Sequence, residues 1–242
     1  MSVHSDRQEI RFCSAADGTR IAYATVGSGL PLVKAANYLT HLEHDWNGPV
    51  WRHWLNQLSR QHTLVRYDER GCGLSDWDVA DFSINAWVQD LEAVVDSLGL
   101  ERFPLLGISQ GASVSVAYAV KHPEKVTHLI LYGGYARGRL NRDLTAEEVL
   151  QAETMLNVIR IGWGKENPAF RQLFTTMLLP DGTKEQMDWL NELARISTTP
   201  ENAALMERAF YRIDVVELAK QVTTPTLVLH GRHDAGVPFE EG

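Results

Sequence analysis

Leu105-Leu106-Gly107-Ile108-Ser109-Gln110-Gly111-Ala112 reads G-x-S-x-G, and what flanks it decides how the chain folds. Ahead of it, Phe103 to Leu106 is a short apolar run that suits a buried parallel strand. Behind it, Ala112 to Val120 is small and apolar, fit for a helix packed close against a sheet. A chain of this length meets G-x-S-x-G by chance roughly one time in ten, so the flanks carry the reading. In a strand–sharp turn–helix setting the serine sits on a strained turn with its oxygen raised above the sheet. Gly107 and Gly111 leave room where a Cβ would crowd the neighbouring strand or helix. Ser109 is therefore the candidate nucleophile.

Outward from this turn, strands and helices alternate. Towards the N-terminus, Ser83 to Leu98 has helical spacing through Trp87, Leu91, Val94, Val95 and Leu98, and Gly99 ends it. Before that come a strand, His62 to Tyr67, and the glycine-rich loop Asp68 to Asp76. Earlier still, Val50 to Gln61 is helical, Ala36 to Pro49 reads as a long loop, and Pro31 to Ala35 is a strand. Glu9 to Cys13 and Arg20 to Ala24 alternate polar and apolar across Asp17-Gly18, which predicts a hairpin with one wet face. Towards the C-terminus, Lys125 to Tyr132 is a strand and Thr226 to His230 another. From residue 31 this is the rhythm of a parallel, doubly wound α/β sheet.

Between those last two strands the pattern changes. Residues 136–220 read as an almost wholly helical insertion after the sixth strand, leaving 1–135 and 221–242 as the core domain. Thr145 with Glu148 and Thr183 with Gln186 fit capping boxes, and Thr199-Pro200 puts proline at a first helical position. Trp163, Phe170, Phe174, Met177, Trp189, Phe210 and Tyr211 line the insertion; most suit its own core, with one or two facing the site as a lid.

Composition bounds the partners. The 242 residues carry a formal net charge of −8, which argues against nucleic acid or an anionic membrane surface as partner. Cys13 and Cys72 form no disulfide framework or metal pattern. The polar start, Met1 to Gln8, and the lack of any long apolar run predict a cytoplasmic protein with neither signal peptide nor membrane span. Oligomeric state stays open, with a homodimer and a fused regulatory domain both compatible with the sequence.

Four motifs now resemble the α/β-hydrolase superfamily over nearly the whole chain. They are Gly107-Ile108-Ser109-Gln110-Gly111, Tyr67 to Ser75, Lys121 to Val126, and the loop Gly231 to Pro238. The sequence is most similar to small bacterial esterases, enol-lactonases, cofactor-free haloperoxidase-like proteins, and hydrolase domains fused to bacterial regulators. The resemblance implies a triad in the order serine, acid, histidine. Asp234, in a Gly-x-x-Asp pattern after the last strand, matches the acid. All nine histidines precede it, so the resemblance implies a chain cut before its catalytic histidine, with the last strand and helix missing. His41 and His44 are the upstream residues that could line the pocket.

The family's His-Gly after the third strand is replaced here by Ala35-Ala36-Asn37-Tyr38. By the same resemblance the oxyanion donors are the backbone N–H groups of Tyr38 and Gln110, with the Asn37 side chain as a substitute. The expected function is hydrolysis of a carboxylic ester or lactone with an apolar acyl group, through an acyl-enzyme on Ser109, with no metal or organic cofactor. Two rivals are a ligand-sensing domain of a regulatory protein and a perhydrolase or haloperoxidase-like activity on the same residues.

Overall fold

Seven strands form one sheet in the order β1-β2-β4-β3-β5-β6-β7 in a computed structural model of the chain, which describes residues 7–165 and 168–242. The predicted hairpin is β1 (Glu9–Ser14) and β2 (Arg20–Gly27), paired antiparallel with Glu9 opposite Thr25. β2 also runs antiparallel to β4 (His62–Tyr67). Every other pairing is parallel: β4 with β3 (Leu30–Lys34), β3 with β5 (Phe103–Ile108), β5 with β6 (Val126–Tyr132), and β6 with β7 (Thr226–Leu229).

The continuous apolar runs follow from burial on both faces, because consecutive strand residues point to opposite layers. Val33, Val65 and Leu105 join one core with Trp87, Leu91 and Val94 of α3 (Ile84–Ser97) and Val114 and Tyr118 of α4 (Gln110–Lys121). Their neighbours Leu32, Leu64 and Leu106 join a second core with Leu55 of α2 (Arg52–Ser59), flanked by Trp51 and Trp54. Helix α4 is wedged so tightly that every residue from Gln110 to Ala119 is buried, and eight of those ten are glycine, alanine, serine or valine.

The stretch 36–49, read as a loop, contains a short helix, α1 (Leu42–Asn47). His41 caps it, its Nδ1 accepting the His44 N–H at 3.4 Å, and the His41 N–H reaches Asp45 Oδ2 at 3.3 Å. Six residues are too few for a 3.6-residue period to show in sequence.

Between β6 and β7 run a 3₁₀ turn (Arg139–Asn141) and five helices: α5 (Ala146–Gly162), α6 (Pro168–Leu178), α7 (Lys184–Ser197), α8 (Pro200–Tyr211) and α9 (Val216–Ala219). Residues 166 and 167 of the predicted insertion, and Met1 to Asp6 of the polar start, lie outside the described residues. Both capping boxes form, Thr145 with Glu148 and Thr183 with Gln186, and Pro200 opens α8 behind the Thr199 cap. Helix α9 returns to the core layer against α4. No helix among the described residues is long and apolar enough to cross a membrane.

Candidate active site

Strand β5 ends at Ile108, α4 begins at Gln110, and the turn between them is the single residue Ser109. Its backbone lies at φ 52°, ψ −127°, among the described residues the one non-glycine with positive φ. Such a conformation costs about 1–3 kcal/mol and is kept only where the surroundings impose it. Here the Ser109 N–H donates to the Tyr132 carbonyl at 3.0 Å and its own carbonyl accepts the Ala112 N–H at 3.0 Å. The flanking glycines are there for close approach: a Cβ on Gly107 would stand 2.6 Å from Ala112 Cα, and one on Gly111 2.5 Å from the Ala36 carbonyl oxygen.

Asp234 lies in the loop after β7. Its Oδ1 accepts the N–H groups of Gly236 at 2.8 Å and Val237 at 2.9 Å, which holds the carboxylate in place. Its Oδ2 faces Gly133, the residue that follows β6. The Gly133 N–H in turn donates to Leu229 at 2.8 Å. Ser109 and Asp234 thus stand at the carboxyl ends of β5 and β7, on either side of the end of β6. Two strand spacings separate those strands, about 10 Å. Crevices at the carboxyl ends of parallel strands are where open α/β sheets bind ligands.

The histidines have other partners. The His230 ring is buried, with its Nε2–H donating to the Val237 carbonyl at 3.0 Å and Nε2 standing 4.0 Å from Asp234 Oδ2. His44 stacks flat on Trp189 of α7 (centroids 5.2 Å, planes 5° apart) and contacts its carbonyl at 3.3 Å, so it docks the helical insertion. His41 is spent on capping α1. His233, beside Asp234, is exposed. Among the described residues no histidine is hydrogen-bonded to Ser109.

On the oxyanion side the arrangement departs from the sequence expectation. Tyr38 and Gln110 do meet, but the Tyr38 N–H donates to the Gln110 side chain, Oε1, at 3.2 Å. Gln110 Nε2 donates at 3.0 Å to Oε2 of Glu69, a carboxyl that is 1% exposed. The Gln110 backbone N–H belongs to the first turn of α4, where no intrahelical acceptor exists, and points where an anion is favoured. The Asn37 side chain is not a substitute donor: its Nδ2 turns to the Tyr38 carbonyl at 3.3 Å, and its Oδ1 takes the buried Lys34 ammonium at 2.5 Å.

Sequence reasoning singled out neither Glu69 nor the Gln110 side chain. Burial pushes the Glu69 carboxyl up to about 8, helped by the nearby Asp90 carboxylate and opposed by the Gln110 hydrogen bond and Lys34. The signal available in sequence was an acidic residue inside the run Asp68-Glu69-Arg70, just past a wholly buried strand end.

Above the site the Tyr38 ring gathers three of the seven residues picked out in the insertion. It meets Phe210 edge-on at 5.2 Å, Trp163 at 6.0 Å and Phe174 at 6.1 Å. Of the rest, Trp189 packs on His44, Phe170 packs against Gly162, Tyr211 joins Ala152 and Leu156, and Met177 is exposed. Among the described residues no three His, Cys, Asp or Glu side chains converge to hold a metal ion.

Comparison with known proteins fits this geometry. A sequence model of the alpha/beta hydrolase fold matches residues 38–240. The chain is 25% identical to AB hydrolase superfamily protein YisY of Bacillus subtilis strain 168, covering 89% of this chain and 78% of the relative. It is 26% identical to pyrrolizixenacetamide deacetylase of Xenorhabdus hominickii, covering 92% and 80%. Among solved structures it superposes on the esterase EaEST from Exiguobacterium antarcticum with a TM-score of 0.79 at 23% identity, over 95% of this chain and 84% of that one.

Proposed function

Because the chain belongs to the α/β hydrolase fold family, we propose that it cleaves a carboxylic ester or lactone through an acyl-enzyme on Ser109. The observation that carries this reading is the strained backbone of Ser109 at the carboxyl edge of the sheet, since a serine held at positive φ needs a reason to be there.

Serine is a weak nucleophile until a base takes its proton and an acid orients the base. Asp234 is the orienting acid, its second oxygen left facing the site while backbone N–H groups hold the first. The base is a histidine, and among the described residues none is hydrogen-bonded to Ser109. Ser109 Oγ adds to the carbonyl carbon, the alcohol leaves with the proton, and water releases the acid by the reverse sequence. The N–H groups of Gln110 and Tyr38 hold the oxyanion, each donor contributing on the order of 3 kcal/mol in the transition state. The rings of Trp163, Phe174 and Phe210 around Tyr38 give the acyl group an apolar wall. A deacetylase among the relatives supports acyl transfer as the reaction class.

The test is release of p-nitrophenolate from a series of p-nitrophenyl acyl esters, with imidazole added to supply the base. The expected result is release that Ser109→Ala lowers by on the order of 10²-fold or more. Equal rates in the two proteins would end the reading. Ester binding with no Ser109-dependent release would replace it with the ligand-sensing alternative.

A further inference from the structure

The contact between Tyr38 and Gln110 carries an inference that rests on the hydrolase reading and deepens it. In the described state one of the two oxyanion donors is occupied by an acceptor of the protein itself. Gln110 Oε1 stands on the Tyr38 N–H, and Gln110 Nε2 is held by Glu69 Oε2. The partners dictate which way the amide faces. A backbone N–H can only donate, and an ionised carboxylate can only accept, so between them the amide must turn its oxygen to Tyr38. The second Glu69 oxygen, Oε1, is buried and has no partner among the described residues.

A neutral Glu69 changes the pattern. A carboxylic acid both donates and accepts, so its O–H can take Gln110 Oε1 while its carbonyl oxygen keeps Nε2, the paired geometry of an acid and an amide. The Gln110 oxygen could accept both bonds, but the cyclic pair needs the whole amide edge turned to Glu69, and that rotation carries Oε1 off Tyr38. We infer that Glu69 is a positioning residue: ionised, it holds Gln110 across the Tyr38 N–H and fills the oxyanion hole, and protonated, it draws Gln110 away and opens it.

The surroundings place the change in an accessible range. Burial lifts Glu69 to about 8. Facing it are Lys34 from β3, Asp68 in its own loop and Asp90 from α3. Asp90 is lifted to about 6 by burial and ionises first, while Lys34 is pushed down to about 8 by burial and titrates in the same range. Tyr38, Tyr67, Tyr135 and Cys72 also sense Glu69, and burial drives all four upward, so they stay neutral. Comparing variants at matched pH separates Glu69 from Lys34.

The readout is labelling of the 242-residue chain by an alkyl fluorophosphonate, whose phosphoryl oxygen takes the oxyanion position. Ser109 Oγ bonds to phosphorus, fluoride departs with the P–F electron pair, and the hydroxyl proton goes to imidazole added to the buffer. Glu69→Gln keeps a group that donates and accepts, and so mimics the neutral acid at every pH. The rate of Glu69→Gln relative to the unaltered chain is expected near unity at about pH 6.5 and on the order of tenfold at about pH 9.5.

A ratio that stays flat with pH would overturn the inference and leave the hydrolase reading intact. Absence of Ser109-dependent labelling at any pH would sink the hydrolase reading instead. Hydrogen exchange of the Tyr38 amide reads the contact even then. It should be slower in the unaltered chain than in Glu69→Gln above about pH 8, after correction for intrinsic rate, and equal protection would dispose of the contact. Labelling is scored only if the circular dichroism of Glu69→Gln matches that of the unaltered chain; if that variant fails to fold, exchange of the Tyr38 amide in the unaltered chain decides, with protection expected to rise from about pH 6.5 to about pH 9.5 and unchanged protection overturning the inference.

Discussion

At the scale of single residues the site rests on buried charges that the fold has to hold. Arg70 grips Asp90 with Nη2 on Oδ1 at 2.7 Å and Nε on Oδ2 at 3.0 Å, both side chains essentially excluded from solvent. Deleting Asp90 leaves the buried Arg70 only its Nη1 contacts, with the partly exposed Asp17 at 2.7 Å and the Asp81 carbonyl at 3.4 Å, and costs up to about 3–5 kcal/mol. Asp90→Ala should therefore lower the urea midpoint by that equivalent with an unchanged m-value, whereas a loss under 1 kcal/mol would mean that water reaches Arg70. Residues of this kind divide by how they can be read in sequence. Ser109, Gly107 and Gly111 were legible because a sharp turn between a strand and a helix imposes a local pattern. Asp234 was legible by its place after the last strand. The Gln110 amide and Glu69 were not, because their partnership spans 41 positions and exists only once β4 and β5 lie in one sheet. Asn37 misled for the same reason: only the fold shows its side chain turned to Lys34.

Among elements, periodicity told most where the run was long. β4, α3, α4 and the caps of α5, α7 and α8 fall within a residue or two of their expected positions. α1 escaped because six residues opened by a histidine cap resemble a loop. It matters nonetheless, since it carries His44 to Trp189 and ties the helical insertion to the core. The two capping boxes give a separable prediction. Thr145→Ala and Thr183→Ala each remove the acceptor for an orphan N–H at a helix start, with a loss of about 1 kcal/mol apiece. These sites are exposed and lie on different helices, so chemical denaturation should show the two losses adding in the double variant. A double variant no worse than either single one would show that the insertion melts apart from the core.

For the molecule as a whole, the concentration of buried carboxyls sets a pH dependence. Burial raises Asp45 to about 7, Glu69 to about 8 and Asp90 to about 6, against roughly 4 in an unfolded chain. Between those limits the folded protein keeps protons that the unfolded chain has released. Unfolding then releases protons, and stability must fall as pH rises. The unfolding temperature should decline from about pH 5 to about pH 8, and Glu69→Gln should flatten the upper part of that decline. A midpoint that rises over the same range would contradict the burial assigned to these groups. Lys34, pushed down to about 8, acts in the opposite sense only above that range. The strain at Ser109 is also borne by the whole fold, in every copy and at every moment, with or without substrate. Glycine would make the same turn at less cost, and serine and glycine codons can lie one base apart. A lineage using this domain only to bind would be free to drift to glycine and gain stability by doing so. A serine in that position is therefore a standing cost of about 1–3 kcal/mol to the fold, which the proposed acyl transfer would justify and mere recognition would not.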